Sequence, residues 1–210
     1  MTQDEWERGI ARADLCRFLA ACYYQPGPEF AEEKMFDSML AAASRVAPDF
    51  AARASRLGEA FGAEDHESLL VDYTRLFLGP VDTLARPYGS TWLGGQQAVM
   101  QDSTVAVQQL YEEGGFEISE DFRELPDHVA AELEFLYLLI FRETEAQRNG
   151  DLESTSAMTA LRQRFLAEHL GAWIDPFTRA IENGAQTAFY RELAEVTRLF
   201  VMAEAAASRN

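Results

Sequence analysis

The sequence is short of positive charge. Its 210 residues include one lysine, Lys34, and the 18 basic side chains face 35 acidic ones, for a formal net charge of −17. Affinity for a phosphate backbone needs a basic stripe, so nucleic-acid binding is excluded, as is polybasic contact with an anionic membrane. Neither G-x-x-x-x-G-K-[ST] nor G-x-G-x-x-G occurs, so a phosphate-cradling loop is absent, and there is no G-x-S-x-G nucleophile elbow. No uncharged apolar run reaches membrane-spanning length. The opening Met1-Thr2-Gln3-Asp4-Glu5-Trp6-Glu7 is acidic where a secretory signal would be basic and then apolar, so a soluble, cytoplasmic protein is expected. Histidine is equally scarce. None of His66, His128 and His169 has a glutamate three residues before it, which excludes a di-iron bundle built on Glu-x-x-His. The two cysteines, Cys16 and Cys22, lie six residues apart in one helical pattern, about 9 Å along its axis and pointing different ways. They cannot pair there, and small buried residues are the expectation.

Apolar side chains, by contrast, make up 48% of the chain. A chain of this length buries about 70% of its extended surface on folding, so a full core is expected and disorder is excluded. The apolar spacing is helical nearly throughout. Ile10, Ala13, Leu15, Phe18, Leu19 and Cys22 recur at threes and fours until Pro26 and Pro28. A second helix is predicted over Glu29 to Val46, a third from Pro48, and a fourth from Asp65-His66-Glu67 to Gly79-Pro80, where glycine accepts a left-handed cap and proline stops the ladder. Periodicity resumes from Gln96 to Gly114-Gly115. Leu125-Pro126-Asp127 then opens the most apolar helix, hydrophobic all round its middle and so expected to be central, ending at Asn149-Gly150. Further helices are predicted over about Leu152 to Leu170, Trp173 to Asn183 and Thr187 to Ala206. Between Gly79 and Gly95 lies a Gly/Pro loop that carries Tyr88, Trp92 and Leu93, too aromatic for a linker and expected to be packed. No alternating strand pattern, repeat or linker appears. The predicted architecture is all-α: one domain over 1–210, of nine or ten helices around an ordered aromatic loop.

Three groups of residues are candidates for chemistry. Asp127 and His128 follow Pro126 in the predicted first turn of the central helix, where unsatisfied N–H groups favour a carboxylate. The spacing places His128 and Glu132 on one helix face, either as an ordinary surface pair or as two metal ligands; no second cluster completes a metal shell. In Asp72-Tyr73-Thr74-Arg75-Leu76-Phe77, the apolar residues form a core stripe and Arg75 is placed to pair with Asp72. An enzyme or small-ligand carrier using His128 and Glu132 is therefore the alternative reading.

Taken together, these segments resemble a known family. Asp72-Tyr73-Thr74-Arg75-Leu76-Phe77-Leu78-Gly79-Pro80 followed by Arg86-Pro87-Tyr88-Gly89-Ser90-Thr91-Trp92-Leu93 looks like the signature of the TorD/DmsD/NarJ group of redox-enzyme maturation chaperones. So does Leu125-Pro126-Asp127-His128-Val129-Ala130-Ala131-Glu132-Leu133-Glu134-Phe135-Leu136, and His169, Trp173, Phe177 and Phe189-Tyr190-Arg191-Glu192-Leu193-Ala194 fit the closing helices. The resemblance covers roughly residues 70 to 200. It implies an all-α cytoplasmic chaperone without catalysis. Its partner would be the catalytic subunit of a molybdenum enzyme together with that subunit's twin-arginine leader, held until the cofactor is inserted. Asp127 and His128 match the leader-binding pair, with Tyr88, Ser90 and Trp92 in the matching loop. Pro87, Glu132, Arg75 and Phe77 complete the candidate leader- and client-binding set. Asp72 stands where many members carry glutamate. The Pro87-to-Trp92 stretch resembles the branch serving dimethyl-sulfoxide and trimethylamine-oxide reductases. Guanine nucleotide or molybdopterin-guanine cofactor is a further ligand the resemblance implies for some members, and a monomer and a dimer made by helix exchange both stay open. A basic-then-apolar leader would need negative charge beside an apolar groove. Asp127, Glu132 and Glu134 beside the Leu/Phe-rich helix supply both; on this view its arginines lie near Asp127, and its apolar part lies against Tyr88, Trp92 and the start of the helix from Val129.

Overall fold

A computed structural model describes residues 1–27, 30, 34–79, 83–94, 102–119 and 123–207. Among these there are ten α-helices, one π-helical turn and no strand. In chain order they are α1 (Gln3–Cys22), α2 (Met35–Val46), α3 (Pro48–Ala63), α4 (His66–Tyr73) running into the π turn Thr74–Leu78, α5 (Ser90–Leu93), α6 (Asp102–Glu113), α7 (Val129–Asn149), α8 (Leu152–Glu168), α9 (Leu170–Gly184) and α10 (Ala188–Ala207). All the predicted helices are found, with local signals at their ends. Thr2 and Glu5 form a capping box on α1, Pro48 opens α3, and Gly150 closes α7 in the left-handed conformation.

The apolar helix α7 is the spine. Its Val129, Ala130, Leu133, Phe135, Leu136, Leu139 and Ile140 are buried. Helices α1 and α8 pack along it; α9 pairs with α10, and the α2–α3 pair closes the bundle against α1 and α10. Helix α1 comes close because Gly9 has no side chain: a Cβ there would lie 2.6 Å from the Thr144 hydroxyl. Behind this crossing, Glu204 of α10 accepts from Arg12 of α1 at 2.6 and 2.8 Å and lies 3.5 Å from Arg162 of α8, which also donates to Glu143 of α7 at 2.7 Å. Four helices are thereby joined by a largely dry ion network, where loss of one partner would strand a buried charge. The two cysteines are buried and unpaired.

Several expected boundaries differ, and α9, expected from Trp173, begins at Leu170. The helix predicted from Glu29 starts at Met35, because Lys34 turns left-handed (φ 51°) and caps it; 28–29 and 31–33 lie outside the described residues. Helix α4 does not end in a left-handed glycine cap. It widens instead, with the Gly79 N–H reaching the Thr74 carbonyl at 2.8 Å, and Gly79 sits at φ 28°, ψ 125°. Pro80 has no N–H to offer the Leu76 carbonyl, which takes the Ala85 N–H at 2.9 Å instead. The onset predicted at Gln96 falls outside the described residues, which resume with α6.

Asp72 has a role beyond its ion pair with Arg75 (2.8 Å). Buried at the end of α4, its Oδ2 accepts from the Gln186 N–H at 2.9 Å and from the Thr187 N–H and hydroxyl at 2.8 Å each. It thus fixes the two residues that lead into α10 from more than 110 residues away, while Glu64 accepts the first N–H of that helix, from Ala188, at 2.9 Å. Asp72→Ala is expected to cost about 2–3 kcal/mol in urea unfolding, and Asp72→Asn distinctly less, since the amide oxygen still accepts.

Candidate functional site

The start of α7 and the 86–90 loop are fastened together by backbone. The Val129 N–H donates to the Pro87 carbonyl and the Gly89 N–H to the Asp127 carbonyl, both at 2.8 Å, leaving Tyr88 and His128 paired as an isolated antiparallel bridge. Gly89 precedes α5 and has no side chain to cap it. Nor is there room for one: a Cβ would lie 2.9 Å from the Trp173 indole nitrogen and 3.0 Å from Glu132 Oε1. The cap comes from across the chain, where Asp127 Oδ2 accepts the Ser90 N–H at 2.8 Å, 37 residues away in sequence. Trp92 secures the other end, donating to the Arg86 carbonyl at 2.9 Å and meeting Phe177 of α9 edge-on at 6.2 Å.

This arrangement corrects the helix-start expectation. Helix α7 begins at Val129; His128 is its N-cap and Asp127 lies before it, so neither occupies the first turn. Asp127 is 1% exposed and caps α5 rather than its own helix. Nor are His128 and Glu132 a helix-surface pair. Glu132 is fully buried and accepts the Trp173 indole N–H at 3.0 Å. Burial, with the Asp127 carboxylate adding to it, pushes the Glu132 carboxyl well above the ordinary range. His128 gives its Nδ1 to the Ala130 N–H at 3.2 Å, which assigns it the neutral, Nε2-protonated form. Burial drives its pKa down to about 4, although the carboxylates of Glu124 and Asp127 oppose the shift. Among the described residues, no group of three or more His, Cys, Asp and Glu is placed to hold a metal.

Two tyrosines enclose the imidazole. Tyr24, just past the end of α1, stacks on it with centroids 6.4 Å apart and rings tilted by 17°; Tyr88 meets it edge-on at 5.4 Å. Each hydroxyl donates to an acid, Tyr24 to Glu134 at 2.9 Å and Tyr88 to Glu124 at 2.5 Å. Burial and the neighbouring carboxylates raise both phenols' pKa values. Beside Tyr24 opens a cavity of about 390 Å³, lined by Phe116, Ile118 and Ala131 with Glu117, Ser119 and Glu134 at its polar edge. An apolar hollow with carboxylates at its margin can take an apolar chain that carries positive charge.

Of the residues singled out in the sequence, Pro87, Tyr88, Ser90, Trp92, Asp127, His128 and Glu132 are gathered here. Arg75 and Phe77 are not part of it. Arg75 pairs with Asp72, and Phe77 is buried among Tyr23, Tyr73, Phe177 and Tyr190. Glu117, Glu124 and Glu134 reach the surface, whereas Asp127 and Glu132 are enclosed. Tyr24, Glu124 and Phe116 were missed. Their only sequence signal was an exposed-type acid or aromatic near a helix boundary.

Residues 43–179 match the family model described as the nitrate reductase delta subunit. The chain is 31% identical to the Tat proofreading chaperone DmsD of Salmonella typhi over 66% of its own length and 61% of that protein's, so it spans less than two thirds of this relative. It is 27% identical to the chaperone protein TorD of Shewanella loihica, over 81% and 77% of the two chains. Against the selenate reductase assembly chaperone protein of Thauera selenatis it is 35% identical over 42% of each. A crystal structure of a redox enzyme maturation protein from Archaeoglobus fulgidus superimposes with a TM-score of 0.54 over 90% of this chain and 92% of that one, at 22% identity, which establishes a shared fold.

His128 makes the site sensitive to acid. Its folded pKa, about 4, lies below the ordinary 6.5, so its contribution is complete above pH 6.5 and is lost as pH falls towards 4. The loss amounts to about 3 kcal/mol, because a buried imidazolium lacks the hydration that stabilises it in the unfolded chain. His128→Asn keeps a capping acceptor without titrating. Urea midpoints at pH 7 and pH 4.5 should show the wild type losing stability relative to that variant.

Proposed function

The chain belongs to the nitrate reductase delta subunit family, and we propose that it is a cytoplasmic, client-specific chaperone that holds the catalytic subunit of a molybdenum oxidoreductase by its twin-arginine leader until the cofactor is in place and export can proceed. The names of its relatives support the chaperone role. The observation that carries the reading is the juxtaposition of the apolar cavity with the acid-edged Tyr24–His128–Tyr88 face. A leader of this type is a basic stretch followed by an apolar one, without a fold of its own. The cavity suits the apolar part, and Glu117, Glu124 and Glu134 suit the basic part. The net charge of −17 speeds encounter with a basic peptide, although screening confines its pull to about 8 Å at physiological salt. The Pro87-to-Trp92 sequence favours a client of the dimethyl-sulfoxide or trimethylamine-oxide reductase kind.

Within this reading Asp127 is a positioning residue. Buried as it is, it acts by holding Ser90, and through it Tyr88, against α7. Calorimetry with the leader peptide of the client that co-purifies from native cells tests both levels. Asp127→Ala should weaken binding about tenfold or more by releasing the loop. Asp127→Asn, which keeps an acceptor for the Ser90 N–H, should bind within about threefold of wild type. A large loss in the Asn variant would instead mean that the charge itself meets an arginine. Capture of the client equally well with and without its leader would overturn the leader-based reading.

A further inference from the structure

We propose that Glu124 and Glu134 are the two guanidinium acceptors of this site, and that the hydroxyls of Tyr88 and Tyr24 occupy them until the ligand arrives. The inference rests on the leader-binding reading and specifies its chemistry: a peptide with two adjacent arginines followed by an apolar stretch.

The argument starts from what each acid already does. Tyr24 donates to Glu134 at 2.9 Å and Tyr88 donates to Glu124 at 2.5 Å. A phenol hydroxyl on a carboxylate oxygen takes the place a guanidinium N–H would take, in the weaker of the two contacts, since a charged donor forms roughly twice as strong a bond. Exchange of one for the other is therefore downhill without being free, and the hydroxyl keeps each acid satisfied in the absence of ligand. Both tyrosines are held by the same imidazole, which places the two Tyr–Glu pairs around one centre. His128 is kept neutral by its burial, so it adds no positive charge to repel two incoming cations.

Geometry matches the ligand as well. Two separate carboxylates around one imidazole offer each of two guanidinium groups its own acceptor. Glu134 and Tyr24 also line the apolar cavity, with Phe116, Ile118 and Ala131 beyond them. The arginine at Glu134 thus stands at the entrance to the hollow that would hold the apolar segment. Once released, the tyrosine rings remain beside the guanidinium groups, where their faces attract cations.

The test is calorimetry of the full chain with a synthetic peptide bearing two adjacent arginines ahead of an apolar stretch, using Tyr24→Phe, Tyr88→Phe, Glu124→Gln and Glu134→Gln, each checked for wild-type helicity. Each phenylalanine removes a competitor and keeps the ring on His128, so binding should tighten about three- to tenfold. Each glutamine removes a charged acceptor and should weaken binding about tenfold or more. Weakened binding in the glutamine variants without tightening in the phenylalanine variants would overturn the occupancy by tyrosine. Unchanged binding in all four, with the wild type still binding, would place the arginines elsewhere and overturn the inference while leaving the leader reading standing. A wild-type chain that does not bind the peptide at all would sink both.

Discussion

A single buried hydrogen bond, from the Ser90 N–H to the Asp127 carboxylate, decides the shape of the candidate site. Gly89 cannot carry a capping side chain, because the Trp173 indole and the Glu132 carboxyl fill the space where a Cβ would go. The short helix it precedes therefore depends on an acceptor delivered from the segment before α7. Once that acceptor is in place, the neighbouring backbone bonds Val129–Pro87 and Gly89–Asp127 follow, and Tyr88 is laid against His128. An acid placed for this purpose must be buried. A buried acid is a poor docking post but a good fastener, because leaving the Ser90 donor unsatisfied would cost about 1–3 kcal/mol.

The same division of labour runs through the charged residues. Asp72, at the end of α4, holds the residues leading into α10, and Glu204 joins Arg12 and Arg162 inside the bundle. Glu132 is held against Trp173 in dry surroundings that push its carboxyl well above the ordinary range. These acids are spent on architecture. In the proposed reading, the acids that meet a cation stand at the margin: Glu117 beside the apolar cavity, and Glu124 and Glu134 behind tyrosine hydroxyls. A chain with net charge −17 is thus acidic in bulk, and the proposed reading gives recognition to three of its acids.

The helices were legible wherever their limits are set by neighbours in sequence. Pro48, Gly114-Gly115 and Asn149-Gly150 act through local backbone chemistry, and each boundary lies where that chemistry puts it. Lys34 gave no such signal, because its left-handed turn runs against its own residue type. The site was legible as a set of residues but not as an arrangement. Periodicity placed Asp127 and His128 inside a helix they only precede, and it placed Glu132 on the surface because an acid ordinarily faces water. What reversed both readings were partners 37 and 41 residues distant, Ser90 and Trp173, which no local pattern can reveal. Tyr24 lay outside the reach of sequence reasoning for the same cause: its importance comes from the ring 104 positions further on, and 128 − 24 is a separation that only folding closes.

The central claim is that the 86–90 loop and the start of α7 form one pre-assembled unit before any ligand arrives. Amide hydrogen exchange of the free protein tests it at the bond on which the rest depends. The Ser90 amide should exchange as slowly as those of α7 from Glu132 onward, opening only with the bundle itself. Exchange of Ser90 at the rate of an open surface loop, with α7 still protected, would contradict the account.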